Sequence, residues 1–135
     1  MPPKEALLPI SIKIAIGFWM LFMVLQAIGL VTVVASGKTS AAALVLGVLI
    51  FVGLGYQSFA ASRLSRWSLV CHSLVYACIS LRRYMANPRW TDDYPLLGVF
   101  VDVIPWALIT ILVAIHWRRM TWKPLGESLS KFSAG

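Results

Sequence analysis

The chain has 135 residues, of which 59% are hydrophobic and only 13% are charged. A water-soluble domain of this size needs more charged side chains to cover its surface, and here the apolar residues fall in runs too long for core helices, so composition excludes an ordinary soluble domain. The net charge of +7 comes from basic residues near the ends of those runs, a placement that favours a lipid bilayer with anionic headgroups as the partner and argues against nucleic acid.

The first half of the chain carries two apolar runs, residues 14–35 and 41–61, and each predicts a transmembrane helix. The first run ends in a sequence similar to a signal-peptide cleavage site, but it is longer than the 7–15 residues of a signal core, so we favour an uncleaved span. In the second run, Ala43, Gly47 and Gly55 are four or eight residues apart and share one helix face. Small residues at this spacing predict a helix-packing face, either for another helix of the chain or for a second copy.

A short basic stretch, residues 62–67 (here the basic corner), separates the second run from a third predicted span at about 67–86. The corner is too short for anything but a tight helical hairpin. Asn87 and Pro88 predict the end of the third helix, because a residue before proline avoids the helical region. A fourth span is predicted at about 95–117, with a kink at Pro105, which cannot donate a backbone hydrogen bond.

The remaining residues, 118–135, form a tail with a spaced apolar pattern. Trp122, Leu125, Leu129 and Phe132 are three, four and three residues apart, which predicts a short amphipathic helix lying in the membrane interface. A tail without regular structure is the alternative.

The expected fold is an all-α integral membrane protein, a single domain of four transmembrane helices in an antiparallel bundle. Basic residues orient it. Eight of them fall on the side of both termini and four on the other side, so the positive-inside rule predicts that the N- and C-termini are cytoplasmic. The larger group is Lys4, Lys13, Arg63, Arg66, Arg118, Arg119, Lys123 and Lys131, and the smaller is Lys38, Arg82, Arg83 and Arg89.

Ionisable side chains inside a membrane are expensive and therefore mark candidate sites. Measured from the cytoplasmic ends of the last two predicted spans, Arg83 and Asp102 lie sixteen and fifteen residues in, equivalent to about 24 and 22 Å of helical rise. This similar depth predicts an intramembrane ion pair between Asp102 and Arg83, or Arg82 in its place. The pair has either a structural role or a role in a proton or ion relay.

Two histidines raise a cofactor hypothesis. His72 and His116 fall on the last two spans towards the cytoplasmic end and suggest a bis-histidine haem b site. Their predicted depths differ by about 6 Å, which counts against a shared haem. The sequence has no pattern of catalytic residues and no metal-ligand cluster, so we expect a protein that is not an enzyme and has no metal or other cofactor.

The basic corner with its tryptophan, residues 63–67, and the stretch from Pro124 to Phe132 resemble features of small four-helix bacterial inner-membrane proteins of unassigned function. This resemblance implies a multi-pass protein of the bacterial inner membrane and no particular activity. We expect an accessory, assembly or stabilising subunit of a larger membrane complex, or a homo-oligomer. The alternatives are a small oligomeric transporter or channel that uses Asp102, and a haem-binding electron carrier that uses His72 and His116.

Overall fold

The computed structural model describes residues 8–37, 40–93 and 95–125, and most of these residues are helical. The α-helices are α1 (Ile10–Ser36), α2 (Ala41–Ser62), α3 (Trp67–Ala86), α4 (Trp90–Asp93), α5 (Pro95–Gly98) and α6 (Ile104–Ala114). A π-helical segment, Val99–Val103, joins α5 to α6, and a 3₁₀ turn, Trp117–Arg119, follows α6. No strand occurs in the described ranges, where a parallel bridge links Ser65 to Thr121. The prediction of an all-α chain is confirmed over these residues.

Three stretches are long and apolar enough to cross a membrane: α1, α2 and the continuous helical path Pro95–Ala114. Their mean hydropathies are 2.3, 1.9 and 2.4, well above the range of helices in soluble proteins. The 20-residue α3 is not one of the three, because its serines, His72 and paired arginines make it less apolar. A fourth crossing therefore stays a prediction.

Local signals explain the ends of the α1–α2 hairpin. Gly37 follows α1 with a φ of 68°, and its N–H donates to the carbonyl of Val34. Glycine adopts this left-handed conformation without the cost that a Cβ would add. Ser40 precedes α2, and its Oγ accepts a hydrogen bond from the Ala43 N–H at 3.2 Å, as a helix N-cap does. Helix α1 begins at Ile10, before the start predicted at residue 14, and its first turn includes Lys13.

Glycines allow α2 to pack closely against two helices. A Cβ on Gly47 would lie 2.6 Å from Leu30 Cδ2 of α1, and one on Gly55 would lie 3.4 Å from Met23 Sδ. The two glycines of the predicted packing face therefore contact α1 of the same chain. Ala43 borders a cavity between α1 and α2.

Gly53, which the predicted face does not include, serves α3 instead. A Cβ on Gly53 would lie 2.5 Å from Val75 Cγ2, and the Cys71 Sγ–H donates to the Gly53 carbonyl at 3.5 Å. Helix α2 thus uses separate glycines for its two neighbours in the bundle.

The last helical path changes its winding before Pro105. The Ile104 N–H donates to the carbonyl of Val99, five residues earlier, which is the π-helical pattern. Pro105 is the second residue of α6, so the residue that lacks an N–H stands directly after the widened turn. The path ends at Ala114, short of the predicted residue 117, because residues 115–119 form turns.

The predicted tail helix falls partly outside the described residues. Residues 120–125 form a bridge, a bend and a turn and are not helical. Trp122 and Leu125 are both exposed, at 51% and 64%. Leu129 and Phe132 lie outside the described residues, so the helical prediction for the end of the tail stays a prediction.

Candidate functional site: polar side chains between the helices

Arg83 of α3 and Asp102 of the π-helical segment form an ion pair. Their side chains are 30% and 22% exposed, so both charges are largely withdrawn from the surface. The pair joins α3 to the last helical path. Mutual attraction then offsets much of the cost of taking each charge out of water.

Arg82 binds a different helix from its neighbour. Its Nη1 donates to Gln26 Oε1 at 2.7 Å, and Gln26 belongs to α1. Successive residues of an α-helix point about 100° apart, so two adjacent arginines reach two different neighbours. The sequence allowed either Arg83 or Arg82 as the partner of Asp102, and in the structure the partner is Arg83. Gln26, one of the few polar residues in the first apolar run, was the signal for this second contact.

A cavity of about 360 Å³ borders the Arg83–Asp102 pair. It lies between the end of α3, the residues that follow it, and the α5 and π-helical region. Its polar lining includes Tyr76, Tyr84 and Asn87 together with the ion pair. Cavities of this size accept small ligands. The sequence does not reveal this cavity, because it forms only where the end of α3 packs against the α5 and π-helical region.

His72 is buried in an aromatic cluster between α1, α3 and α6. Its ring centroid lies 4.8 Å from that of Trp106 and 5.4 Å from that of Trp19. His72 Nε2 lies 3.3 Å from the Trp106 carbonyl, which accepts, so Nε2 carries the hydrogen. Phe22 and Tyr76 also pack edge-on against Trp106. This histidine acts as part of the core that joins α1, α3 and α6.

His116 lies beyond the end of α6 and contacts the start of α1. Its Nε2 is 2.6 Å from Ser11 Oγ. Partial burial lowers the pKa of His116 below its ordinary value, and the positive charge of Arg119 lowers it further. The neutral imidazole is therefore favoured at neutral pH, and the contact ties the two ends of the helical region together.

The two histidines of the haem hypothesis have separate partners. His72 packs at the level of Trp106, and His116 follows Trp106 by ten residues, equivalent to about 15 Å of helical rise. The haem b hypothesis stays a prediction, and a Soret band in the purified protein would test it. Among the residues that the structure describes, no group of three or more His, Cys, Asp or Glu side chains is placed to hold a metal ion.

The basic corner is bonded to the segment that follows α6, residues 117–124 (here the post-helix segment). The Arg66 N–H donates to the Thr121 carbonyl at 2.8 Å, and the Thr121 N–H donates to the Leu64 carbonyl at 2.9 Å. Ser65 Oγ donates to the Lys123 carbonyl at 2.6 Å. Leu64 holds a φ of 55°, a left-handed conformation that is rare for a residue with a branched side chain. These bonds fix the shape of the hairpin.

Aromatic and cationic side chains cover this junction. The Arg66 guanidinium donates to the Trp117 carbonyl through both Nε and Nη2, and it lies 4.5 Å from the centre of the Trp117 ring. Trp67 Nε1 donates to the Trp122 carbonyl at 2.7 Å. Trp122 packs edge-on against both Trp67 and Trp117. Trp67, Trp117 and Trp122 therefore form one aromatic cluster over the junction.

Three helices are long and apolar enough to cross a membrane, which is consistent with a multi-pass helical membrane protein. Helix α3 is joined to two of them, by the Arg82–Gln26 hydrogen bond and by the Arg83–Asp102 ion pair. No protein-family model, no curated protein and no solved structure matches this chain.

Proposed function

We propose that this chain is a non-enzymatic protein of the bacterial inner membrane that serves as an accessory, assembly or stabilising subunit of a larger membrane complex, or forms a homo-oligomer. One observation carries the proposal: Arg82, Arg83 and Asp102 each bind a side chain on a neighbouring helix. Contacts of this kind between helices hold a helical bundle together. These contacts support a structural role for the chain.

The proposed topology has four crossings and cytoplasmic termini. Helix α3 supports the fourth crossing, because it follows α2 after a short corner and packs along it where Gly53 meets Val75. A helix that returns beside a membrane-spanning helix crosses the same bilayer. Placing Arg66 and the post-helix segment in the cytoplasm agrees with the eight-to-four excess of basic residues.

The outer faces of the helices support a role in assembly. Only Ile12, Ala15 and Trp19 of the 27 residues of α1 are buried within the chain. One side of the helix presents apolar side chains to its surroundings, such as Leu21, Ile28 and Val31 at 58%, 59% and 69% exposure. Lipid covers such a face in a lone subunit, and helices of another subunit cover it in a complex.

Purification of the tagged chain in a mild detergent, followed by mass spectrometry of what elutes with it, tests the proposal. We expect either a membrane subunit in a fixed ratio to the chain or a defined self-oligomer. The matched comparison is the same preparation from cells that carry the Trp106→Ala variant, which opens the core around His72. A wild-type chain that is monomeric and free of partners when extracted directly into lipid nanodiscs would contradict the proposal.

A small oligomeric transporter or channel is the second candidate, and a specific observation favours it. Asp102 lies in a π-helical segment and lines the cavity of about 360 Å³. Such widened turns occur frequently at functional sites.

Asp102→Asn separates the two candidates. A structural pair predicts less assembled protein, because Arg83 keeps its charge and loses the carboxylate that it faces. A transport pathway predicts normal assembly and lost flux in liposomes. The double variant Arg83→Gln/Asp102→Asn serves as the control, since it leaves no unpaired charge. Recovery of assembly in the double variant supports the structural pair, and normal assembly of Asp102→Asn contradicts it.

A further inference from the structure

The cavity beside Arg83 and Asp102 has the composition of a binding site. Each member of the ion pair lines it and is still partly accessible, at 30% and 22% exposure. Its remaining lining combines the aromatic rings of Tyr76 and Tyr84 with apolar side chains such as Val103. The cavity is therefore apolar for the most part, with one positive and one negative group at the same place.

This pair of charges selects the net charge of a ligand. A simple cation that binds Asp102 displaces the Arg83 guanidinium from the carboxylate, and a simple anion that binds Arg83 displaces the Asp102 carboxylate from the guanidinium. Losing half of an ion pair that is withdrawn from water is costly. A zwitterion avoids this cost, because its anionic end pairs with Arg83 and its cationic end pairs with Asp102, so two ion pairs replace the one between the side chains.

The side chains also indicate which group binds where. A guanidinium binds phosphate oxygens through two parallel hydrogen bonds, so the anionic end of the ligand belongs at Arg83. An ammonium group binds a carboxylate and is attracted to the face of an aromatic ring, so the cationic end belongs at Asp102, in a cavity that Tyr76 and Tyr84 also line.

We propose that this cavity binds a zwitterion with an ammonium and a phosphate group, of the phosphoethanolamine type. Arg83 lies in the last turn of α3, at the end of the helix away from the basic corner. In the proposed topology this end reaches the outer headgroup region, where the apolar wall of the cavity receives the glycerol and the start of an acyl chain. Membrane phosphatidylethanolamine and a water-soluble phosphoethanolamine share this chemistry. The binding inference holds for a subunit of a complex and for a transporter alike.

Native mass spectrometry of the purified full chain with added lipids tests the proposal. We expect phosphatidylethanolamine to bind about tenfold or more tightly than phosphatidylglycerol, whose headgroup has no ammonium. The double variant Arg83→Gln/Asp102→Asn should lose this preference. Arg82→Gln is the matched control: it removes the adjacent charge, retains a donor for Gln26 and does not border this cavity.

A second variant keeps the test decisive if the double variant fails to fold. Val103→Phe fills part of the cavity and leaves both charges in place, so it should weaken phosphatidylethanolamine binding about tenfold. Displacement of the lipid by soluble glycerophosphoethanolamine would identify a water-soluble zwitterion as the ligand, and its retention would identify the lipid. Equal binding of the two lipids, or unchanged binding in a folded double variant, would overturn the proposal. Co-purification of partner subunits with Val103→Phe shows separately whether the proposed subunit role stands.

Discussion

At the scale of single residues, adjacent side chains on one helix serve different neighbours. Arg82 reaches Gln26 on α1, and Arg83 reaches Asp102 on the last helical path. The sequence gives the depth of each arginine along α3, and this depth is almost the same for both, so it does not show which one pairs with Asp102. The direction in which each side chain points around α3 decides the pairing, and that direction matters only once α1 and the π-helical segment have packed.

His116 carries a prediction about pH. Its pKa is lowered by partial burial and then by Arg119, so Arg119→Gln should move the pKa up towards the ordinary value of about 6.5. Arg118→Gln is the control, because it removes an equal charge one residue away, whereas the causes of the lowered pKa are burial and Arg119. Titration of the histidine C–H signals by NMR in detergent measures the pKa of His116 in both variants, and His72→Gln assigns the signals. A pKa that moves equally in the two variants would contradict the assigned cause.

The same shift has a consequence for stability. Because the folded chain favours neutral His116, the unfolded chain binds the proton more tightly, and stability rises with pH in this range. The contribution is fully present above the unfolded pKa of about 6.5 and is lost as the pH falls through the lower folded value. Unfolding midpoints measured between pH 7.5 and 5 should therefore fall more in the wild type than in His116→Gln.

At the scale of helices, the lengths of apolar runs predicted α1, α2 and the last path to within a few residues. Such runs are local features of the sequence. The π-helical turn is local, but the length of an apolar run does not show how its helix winds. The bonds of the basic corner to Thr121 and Lys123, and the cavity, are not local, because they depend on segments that meet only after folding. The sequence indicated the two members of the ion pair by their similar depth, whereas the role of Gln26 required the packed structure.

Gly53 provides a test of how closely α2 and α3 approach. Its missing side chain accommodates Val75, whose branched Cβ restricts it to one main rotamer in a helix. Gly53→Ala should therefore destabilise the chain by about 1–3 kcal/mol, as overpacking does. Gly17→Ala is the control, because nothing lies within 4 Å of the added methyl group there, and it should be neutral or stabilising. Thermal unfolding in detergent measures both, and equal midpoints would contradict the close approach.

At the scale of the whole molecule, one end of the bundle is much more strongly tied together than the other. The basic corner, the post-helix segment and the contact of His116 with Ser11 all lie at the end where the chain enters α1. The opposite end holds the ion pair and the cavity. This arrangement places the aromatic and basic groups at one predicted membrane surface, where Trp and Arg side chains bind headgroups.

The proposed topology makes a prediction that three cysteine variants can decide. In a chain with Cys71→Ala and Cys78→Ala, we would place single cysteines by Glu5→Cys, Asp92→Cys and Glu127→Cys. Each change removes an acidic residue, so the lysines and arginines that orient the chain stay in place. With four crossings and cytoplasmic termini, a membrane-impermeant maleimide should label intact spheroplasts only at position 92. Positions 5 and 127 should react after permeabilisation.

Each alternative topology produces its own labelling pattern. If α3 lay along the surface and only the three most apolar stretches crossed, the two ends of the chain would fall on opposite sides, and one of positions 5 and 127 would be labelled from outside. An inverted four-helix bundle would expose both of these positions and protect position 92. In either case Arg83 and Asp102 would leave the outer headgroup region, and the zwitterion in their cavity would have to come from another source than the outer leaflet. The three-crossing arrangement would place the basic corner and the post-helix segment on opposite sides of the membrane, so the hydrogen bonds between them favour the two four-crossing arrangements.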